Sequence, residues 1–161
     1  MQTILDFCDG LPKRHLKKGD VLLEEGACTG KLYFLIRGRI EIMKGDYRVN
    51  SVCDAGSVFG EVSVLTDRPH MATVRVQEDS DVYVVDNADD FLKKNPEINY
   101  FLSKLLAQRL QSVTGYLIDL KRQFEDQNNH LGMVDEVLGS LVHQQVDDFS
   151  PGSDRDTYDR S

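Results

Sequence analysis

Between residues 20 and 86 hydrophobic and polar positions alternate in short runs, whereas beyond residue 96 the apolar side chains return every third or fourth position. The first spacing is that of a strand and the second that of a helix. Runs at 20–24, 31–37, 39–44, 47–53, 72–77 and 81–86 predict six strands, with Leu32, Phe34 and Ile36 on one face, as are Val74 and Val76. Gly19-Asp20, Glu25-Gly26, Arg37-Gly38, Gly45-Asp46, Ala55-Gly56-Ser57 and Glu78-Asp79-Ser80 supply the turns between them. No stretch of helical crossover length separates these runs, so they predict an antiparallel, jelly-roll-like β-roll of roughly seventy residues. Residues 2–9 predict a short leading helix.

The helical pattern begins near residue 87. Asn87 is a cap for a short helix with Asp89 and Asp90 in its first turn, where acids suit the dipole. Asn95-Pro96-Glu97 starts a second, long helix expected over 96–128, with proline at its first position. Leu106, Leu110, Val113, Leu117, Leu120 and Phe124 recur along it at heptad spacing. Such a helix is about 45 Å long at 1.5 Å per residue, more than so small a roll covers, so part of the stripe is expected to meet a second copy of the chain. The seam continues through Leu131, Val134, Leu138 and Leu141 after an interruption at 127–130, which predicts a separate amphipathic helix over 129–146. Residues 147–161 lack any apolar pattern and predict a disordered acidic tail. The expected organisation is therefore a roll with its long helix over 1–128, the helical extension, and the tail.

Composition narrows the partners. The 161 residues carry 19 basic and 27 acidic side chains, a formal net charge of -8, which repels nucleic acid and anionic lipid. The N-terminus has acids where a signal peptide needs basic residues, and nowhere do 18 apolar residues run together, so a cytoplasmic protein without membrane contact is expected. Cys8, Cys28 and Cys53 are too few and too scattered for a disulfide framework, and His15, His70, His130 and His143 do not cluster as metal ligands. A haem held by Cys28 or Cys53 with His70 is conceivable but rests on one ligand pair. No nucleophile elbow is visible, so an enzyme is not expected.

The stretch 58–74, Val-Phe-Gly-Glu-Val-Ser-Val-Leu-Thr-Asp-Arg-Pro-His-Met-Ala-Thr-Val, is the most distinctive of the chain. Its Phe59-Gly60-Glu61 and Pro69-x-x-Ala72-Thr73-Val74 resemble the signature of the cyclic nucleotide-binding domain family, which includes the catabolite activator protein and the regulatory subunit of protein kinase A. Gly19-Asp20-Val21-Leu22, Glu25-Gly26, Leu32-Tyr33-Phe34-Leu35-Ile36-x-Gly38 and Gln108-Arg109-Leu110 extend the resemblance over about residues 5–125. It implies a β-roll, a short helix and a long dimerising helix. It also implies a non-enzymatic sensor of cAMP or cGMP, dimeric through 96–128, that signals to an unknown protein partner and needs no cofactor or metal. A DNA-reading module is not expected, because after Asn128 the basic residues are Arg155 and Arg160 against seven acids.

The resemblance assigns roles to individual positions. Gly60 would admit a phosphate close to the backbone at the start of a short helix, with the N–H groups of Glu61, Val62 and Ser63 facing it. Glu61 would accept from a ribose 2′-hydroxyl. Phe59 and Leu65 are expected as core anchors, while Phe59, Met71 and Ala72 also belong to the implied ligand surface. His70 stands where the family has arginine, and an imidazole matches neither the charge nor the donors of a guanidinium. Arg68 is a substitute cation; the alignment of Gln108-Arg109-Leu110 puts Val113 and Thr114 at the level of the base, where Thr114 alone of the two carries a hydroxyl, and Arg109 is either a further ligand residue or a surface salt-bridging one. The alternative is a scaffold that keeps the fold for dimerisation or docking and has lost the ligand.

Overall fold

The computed structural model describes residues 2–124 and 131–143. They gather in two compact units, one up to Asn99 and the other from Tyr100. The first unit is an antiparallel sheet. Its strands are β1 (Lys13–Leu16), β2 (Val21–Leu23), β3 (Leu32–Lys44), β4 (Tyr47–Val52), β5 (Val58–Phe59) and β6 (Thr73–Val85). They run β1-β6-β3-β4, with β2 on β6 and β5 on β3, every pair antiparallel. The expected mainly-β roll followed by helices is thus the fold of the chain.

Two turns placed by the sequence are not turns. Residues 31–37 and 39–44 form one strand, as do 72–77 and 81–86, because β3 and β6 pair along their whole lengths from Leu32↔Val85 to Met43↔Thr73. The pairing slips by a residue around Arg37 and Arg39, and Gly38 with φ 109° takes up the slip. A Cβ on Gly38 would lie 2.1 Å from the Ser80 hydroxyl oxygen, so glycine is required where the strands close. Ser80, read as a turn residue, is fully buried and accepts from the Arg39 N–H. Strands β1 and β5 were not marked by alternation, being four and two residues long.

The core follows strand parity. Val74, Val76, Val82 and Val84 of β6 point inward with Leu16, Leu22, Leu23, Tyr33, Leu35, Ile40 and Phe59. Between them Arg75 and Gln77 lie on the outer face, where Arg75 and Arg48 clasp the buried Glu41 carboxylate at 2.6 and 2.9 Å. Those guanidiniums hold Glu41 below the usual carboxylate range, the Arg75 hydrogen bond contributing most. Leu32, Tyr33, Phe34 and Leu35 are all buried, so the start of β3 is covered on both faces and the predicted alternation there fails.

A 3₁₀ helix, Ile4–Cys8, stands where the leading helix is expected. After β5 come α1 (Glu61–Thr66), α2 (Ala88–Lys94), α3 (Pro96–Gln123) and α4 (Leu131–His143). The Asn87 side chain accepts from the Asp90 N–H at 3.3 Å, the predicted cap. α3 ends at Gln123, five residues short of the expected 128; the break near Asn128 and the tail 147–161 lie outside the described residues. In the second unit Leu110, Val113 and Phe124 of the seam are exposed, and an ion pair joins Lys121 to Asp135 of α4.

Candidate functional site

Residues 58–74 leave the sheet through a turn that only glycine allows. Phe59 pairs with Tyr33 and is buried in the core, which anchors the segment to β3. At Gly60 φ is 96°, and a Cβ there would lie 2.4 Å from the Lys31 carbonyl oxygen. The missing side chain is therefore occupied by the neighbouring backbone, which gives the glycine a packing reason of its own. Glu61 begins α1 and is only 5% exposed, an unusual burial for a carboxylate.

Beyond Glu61 the short helix is half-buried at Ser63 and Val64 and exposed elsewhere. Val62 and Leu65 are exposed, so Leu65 is not the core anchor that the sequence led us to expect. Ser63 is used within the turn that ends α1: its carbonyl accepts the Arg68 N–H at 3.2 Å and its hydroxyl donates to the Arg68 carbonyl. Asp67 between them is left-handed, the one such non-glycine among the described residues. Arg68 is exposed, and Met71 is exposed beside a half-buried Ala72.

His70 is turned into the protein. It is 5% exposed, and its Nε2 lies 2.9 Å from the Thr29 hydroxyl. Its N–H donates to the Ala27 carbonyl and its own carbonyl accepts the Gly26 N–H, both at 2.9 Å. Burial lowers the imidazole pKa from its ordinary 6.5, so the ring is neutral near pH 7. Next to it the Glu25 N–H donates to the Thr73 hydroxyl. The Lys44 ammonium donates to the Met71 carbonyl at 2.8 Å and pairs with the Glu25 carboxylate at 2.7 Å.

The first unit thus holds Phe59, Gly60, Glu61, Val62, Ser63, Arg68, His70, Met71 and Ala72, while Arg109, exposed, and Thr114, half-buried, belong to α3 in the second. Thr29, Lys31 and Lys44 escaped the sequence reading. They join the segment only through long-range pairing, and nothing in their local sequence marks them. Among the described residues no cluster of His, Cys, Asp or Glu is placed to hold a metal, and no helix is long and apolar enough to cross a membrane.

Comparison with known proteins accords with this geometry. The profile of the family described as Cyclic nucleotide-binding domain matches residues 13–94. A cAMP-dependent protein kinase regulatory subunit from Mucor circinelloides f. lusitanicus is 24% identical over 122 residues, covering 71% of this chain and 28% of that protein. The chain therefore spans little more than a quarter of that curated relative. In fold it is similar to cAMP-bound PfPKA-R, with TM-score 0.55, 21% identity and coverage of 68% of this chain and 37% of that one. A structure from a cyclic-GMP-dependent signalling pathway of bacterial phytopathogenesis gives TM-score 0.57 and 22% identity over 66% of this chain and 91% of the other. With the roll, the glycine-opened α1 and a profile match over half its length, this chain belongs to the cyclic nucleotide-binding domain family.

Proposed function

We propose that this chain is a non-enzymatic regulatory domain that binds a purine cyclic nucleotide, cAMP or cGMP, at residues 58–74, and binds it weakly because His70 stands in place of arginine. The carrying observation is the buried Glu61 at the start of α1, directly after the left-handed Gly60, within the region matched by the family profile. A buried carboxylate there is suited to accept from a ribose hydroxyl. The cAMP named for the Mucor subunit and for PfPKA-R supports cAMP as first candidate. On this reading the domain is cytoplasmic, does not contact nucleic acid or membrane, and passes the ligand's effect along α3. The signal goes to a second copy of the chain or to another protein partner. The exposed Leu110, Val113 and Phe124 support the homodimer, since these are positions of the predicted seam.

Calorimetric titration of the purified chain with cAMP and cGMP, alongside His70→Arg, tests the site. The missing charge-assisted contact is worth about 1.5–3 kcal/mol, so the arginine variant is expected to bind about ten- to a hundredfold more tightly. Absence of binding in both proteins would sink the reading. The ligand-free scaffold has one observation in its favour. Two surface cavities, of about 250 and 470 Å³, are lined by other residues, Leu22 and Tyr33 in one and Arg48 and Arg75 in the other, and neither touches residues 58–74.

A further inference from the structure

The larger cavity, of about 470 Å³, is lined by Lys18, Arg48 and Arg75 together with the carboxylates of Glu41 and Glu78. Strand pairing builds it. Glu41 of β3 stands opposite Arg75 of β6 on one side and Ser51 of β4 on the other, with Arg48 three residues before Ser51. The Glu41 carboxylate, on a residue only 4% exposed, takes both arginines side-on. Its Oε1 accepts from Nε and Nη2 of Arg75 at 2.7 and 2.6 Å, and its Oε2 from Nε and Nη2 of Arg48 at 3.0 and 2.9 Å. A guanidinium is planar, so the Nη1 group of each arginine points away from the carboxylate that holds the opposite edge. Neither Nη1 has a partner among the described residues, and the two side chains stay 54% and 42% exposed.

Two guanidiniums on one carboxylate leave a positive charge over, and Lys18 adds another. Its turn is fixed against β6 beside Arg75: the Gly19 N–H donates to the Val76 carbonyl and the Val76 N–H to the Asp20 carbonyl, both at 2.8 Å. The exposed Lys18 ammonium has no ion-pair partner among the described residues. Of the neighbouring acids, Glu78 pairs with Arg39 at 3.2 Å, and Asp79, outside the lining, accepts the Lys18 N–H at 2.9 Å. Two donor edges already held in place by a buried carboxylate, with an ammonium beside them, suit a tetrahedral dianion, and ordering the arginines costs the ligand little.

We infer that the outer face of the sheet binds a phosphate monoester through the free edges of Arg48 and Arg75 and the Lys18 ammonium, with Glu41 as the residue that positions both guanidiniums. None of these groups belongs to residues 58–74, so the site stands whether or not that segment takes a cyclic nucleotide.

The test is an NMR titration of the full chain at about pH 7.5 and constant ionic strength, where a phosphate monoester is mostly dianionic. The probes are inorganic phosphate and a short phosphoserine peptide, with sodium chloride as control. Saturable shifts are expected at the amides of Lys18, Arg48, Arg75 and Gln77. Arg48→Gln, which leaves Arg75 on Glu41, is expected to weaken binding about tenfold or more, and Lys18→Gln, on an exposed side chain, about two- to fivefold. Tighter binding of the peptide would assign the site to a modified protein side chain, and equal binding to free phosphate monoesters. Shifts that chloride reproduces, shifts confined to residues 58–74, or shifts that neither substitution alters would overturn the inference. If Arg48→Gln folds poorly, Lys18→Gln decides alone.

Discussion

The imidazole of His70 lies 2.9 Å from the hydroxyl of Thr29, forty-one positions earlier in the chain, and the ring is buried in the first unit while Thr29 stays exposed. The pair ties the end of the 58–74 segment to the 24–30 loop, so the residue at the phosphate position is also a stability element. Thr29→Val removes one hydrogen-bonding partner of a buried ring and is expected to cost about 1 kcal/mol in chemical denaturation.

His70 also sets a pH dependence. Because burial lowers its pKa below the ordinary 6.5, the unfolded chain takes up a proton that the folded one refuses. The contribution of the neutral ring is therefore complete above that value and is lost as the pH falls through it towards the folded pKa. Melting temperatures taken from about pH 8 to about pH 5 should fall less steeply for His70→Asn than for the unsubstituted chain. Equal slopes would mean that the ring does not titrate in this way.

Glu41 predicts a different acid response on the outer face of the sheet. Its lowered pKa means that its contribution is present above the ordinary 4.5 and lost as the pH falls below that value. Glu41→Gln is expected to lower the melting temperature at neutral pH, and Glu41→Ala to lower it further, since the alanine leaves Arg48 and Arg75 facing each other across β3, β4 and β6. Both variants should converge on the unsubstituted chain in acid.

Glycines at two positions should respond with opposite sign to alanine. At Gly60 the left-handed backbone and the Lys31 carbonyl 2.4 Å from the new Cβ predict a loss of about 1–3 kcal/mol or more. At Gly115, inside α3 with nothing within 4 Å, helix propensity predicts a gain of up to about 1 kcal/mol. Denaturant titration of the two variants side by side gives the comparison, and the second also reports whether the α3 face is closely covered by another chain.

The proposed dimer is tested on the same helix. Leu110→Asp and Val113→Asp place charge on seam positions that are 46% and 52% exposed in one chain, so they should spare the fold. Sedimentation velocity is expected to show a dimer for the unsubstituted chain and a monomer for the double variant, with unchanged circular dichroism. A monomer in both would remove the second copy from the reading.

Cysteine reactivity should separate one thiol from two. Cys8 is fully buried, its thiol bonds to the Ile4 carbonyl, and burial with nearby Asp9 pushes its pKa up to about 11. Mass spectrometry after brief iodoacetamide treatment is expected to find Cys28 and Cys53 alkylated and Cys8 only after unfolding.

Much of this was legible because the signals are local. Strand parity at Val74 and Val76, the Asn87 cap and the Pro96 start are decided by a residue and its immediate neighbours, and each stands where the sequence puts it. The errors share one cause. Arg37-Gly38 and Glu78-Asp79-Ser80 have the composition of turns, yet they sit within long strands, because a left-handed glycine serves a bulge as well as a hairpin and only the partner strand distinguishes them.

By itself the sequence determined the roll, the order of its helices, and the location of the 58–74 segment with its replaced arginine, since periodicity, capping and motif spacing are properties of neighbouring residues. Tertiary structure alone decided what those residues face: that Gly60 makes room for Lys31, that Glu61 is buried while Leu65 is not, and that His70 turns to Thr29. Burial and hydrogen-bond partnership depend on residues brought together by strand pairing, and no local pattern encodes them.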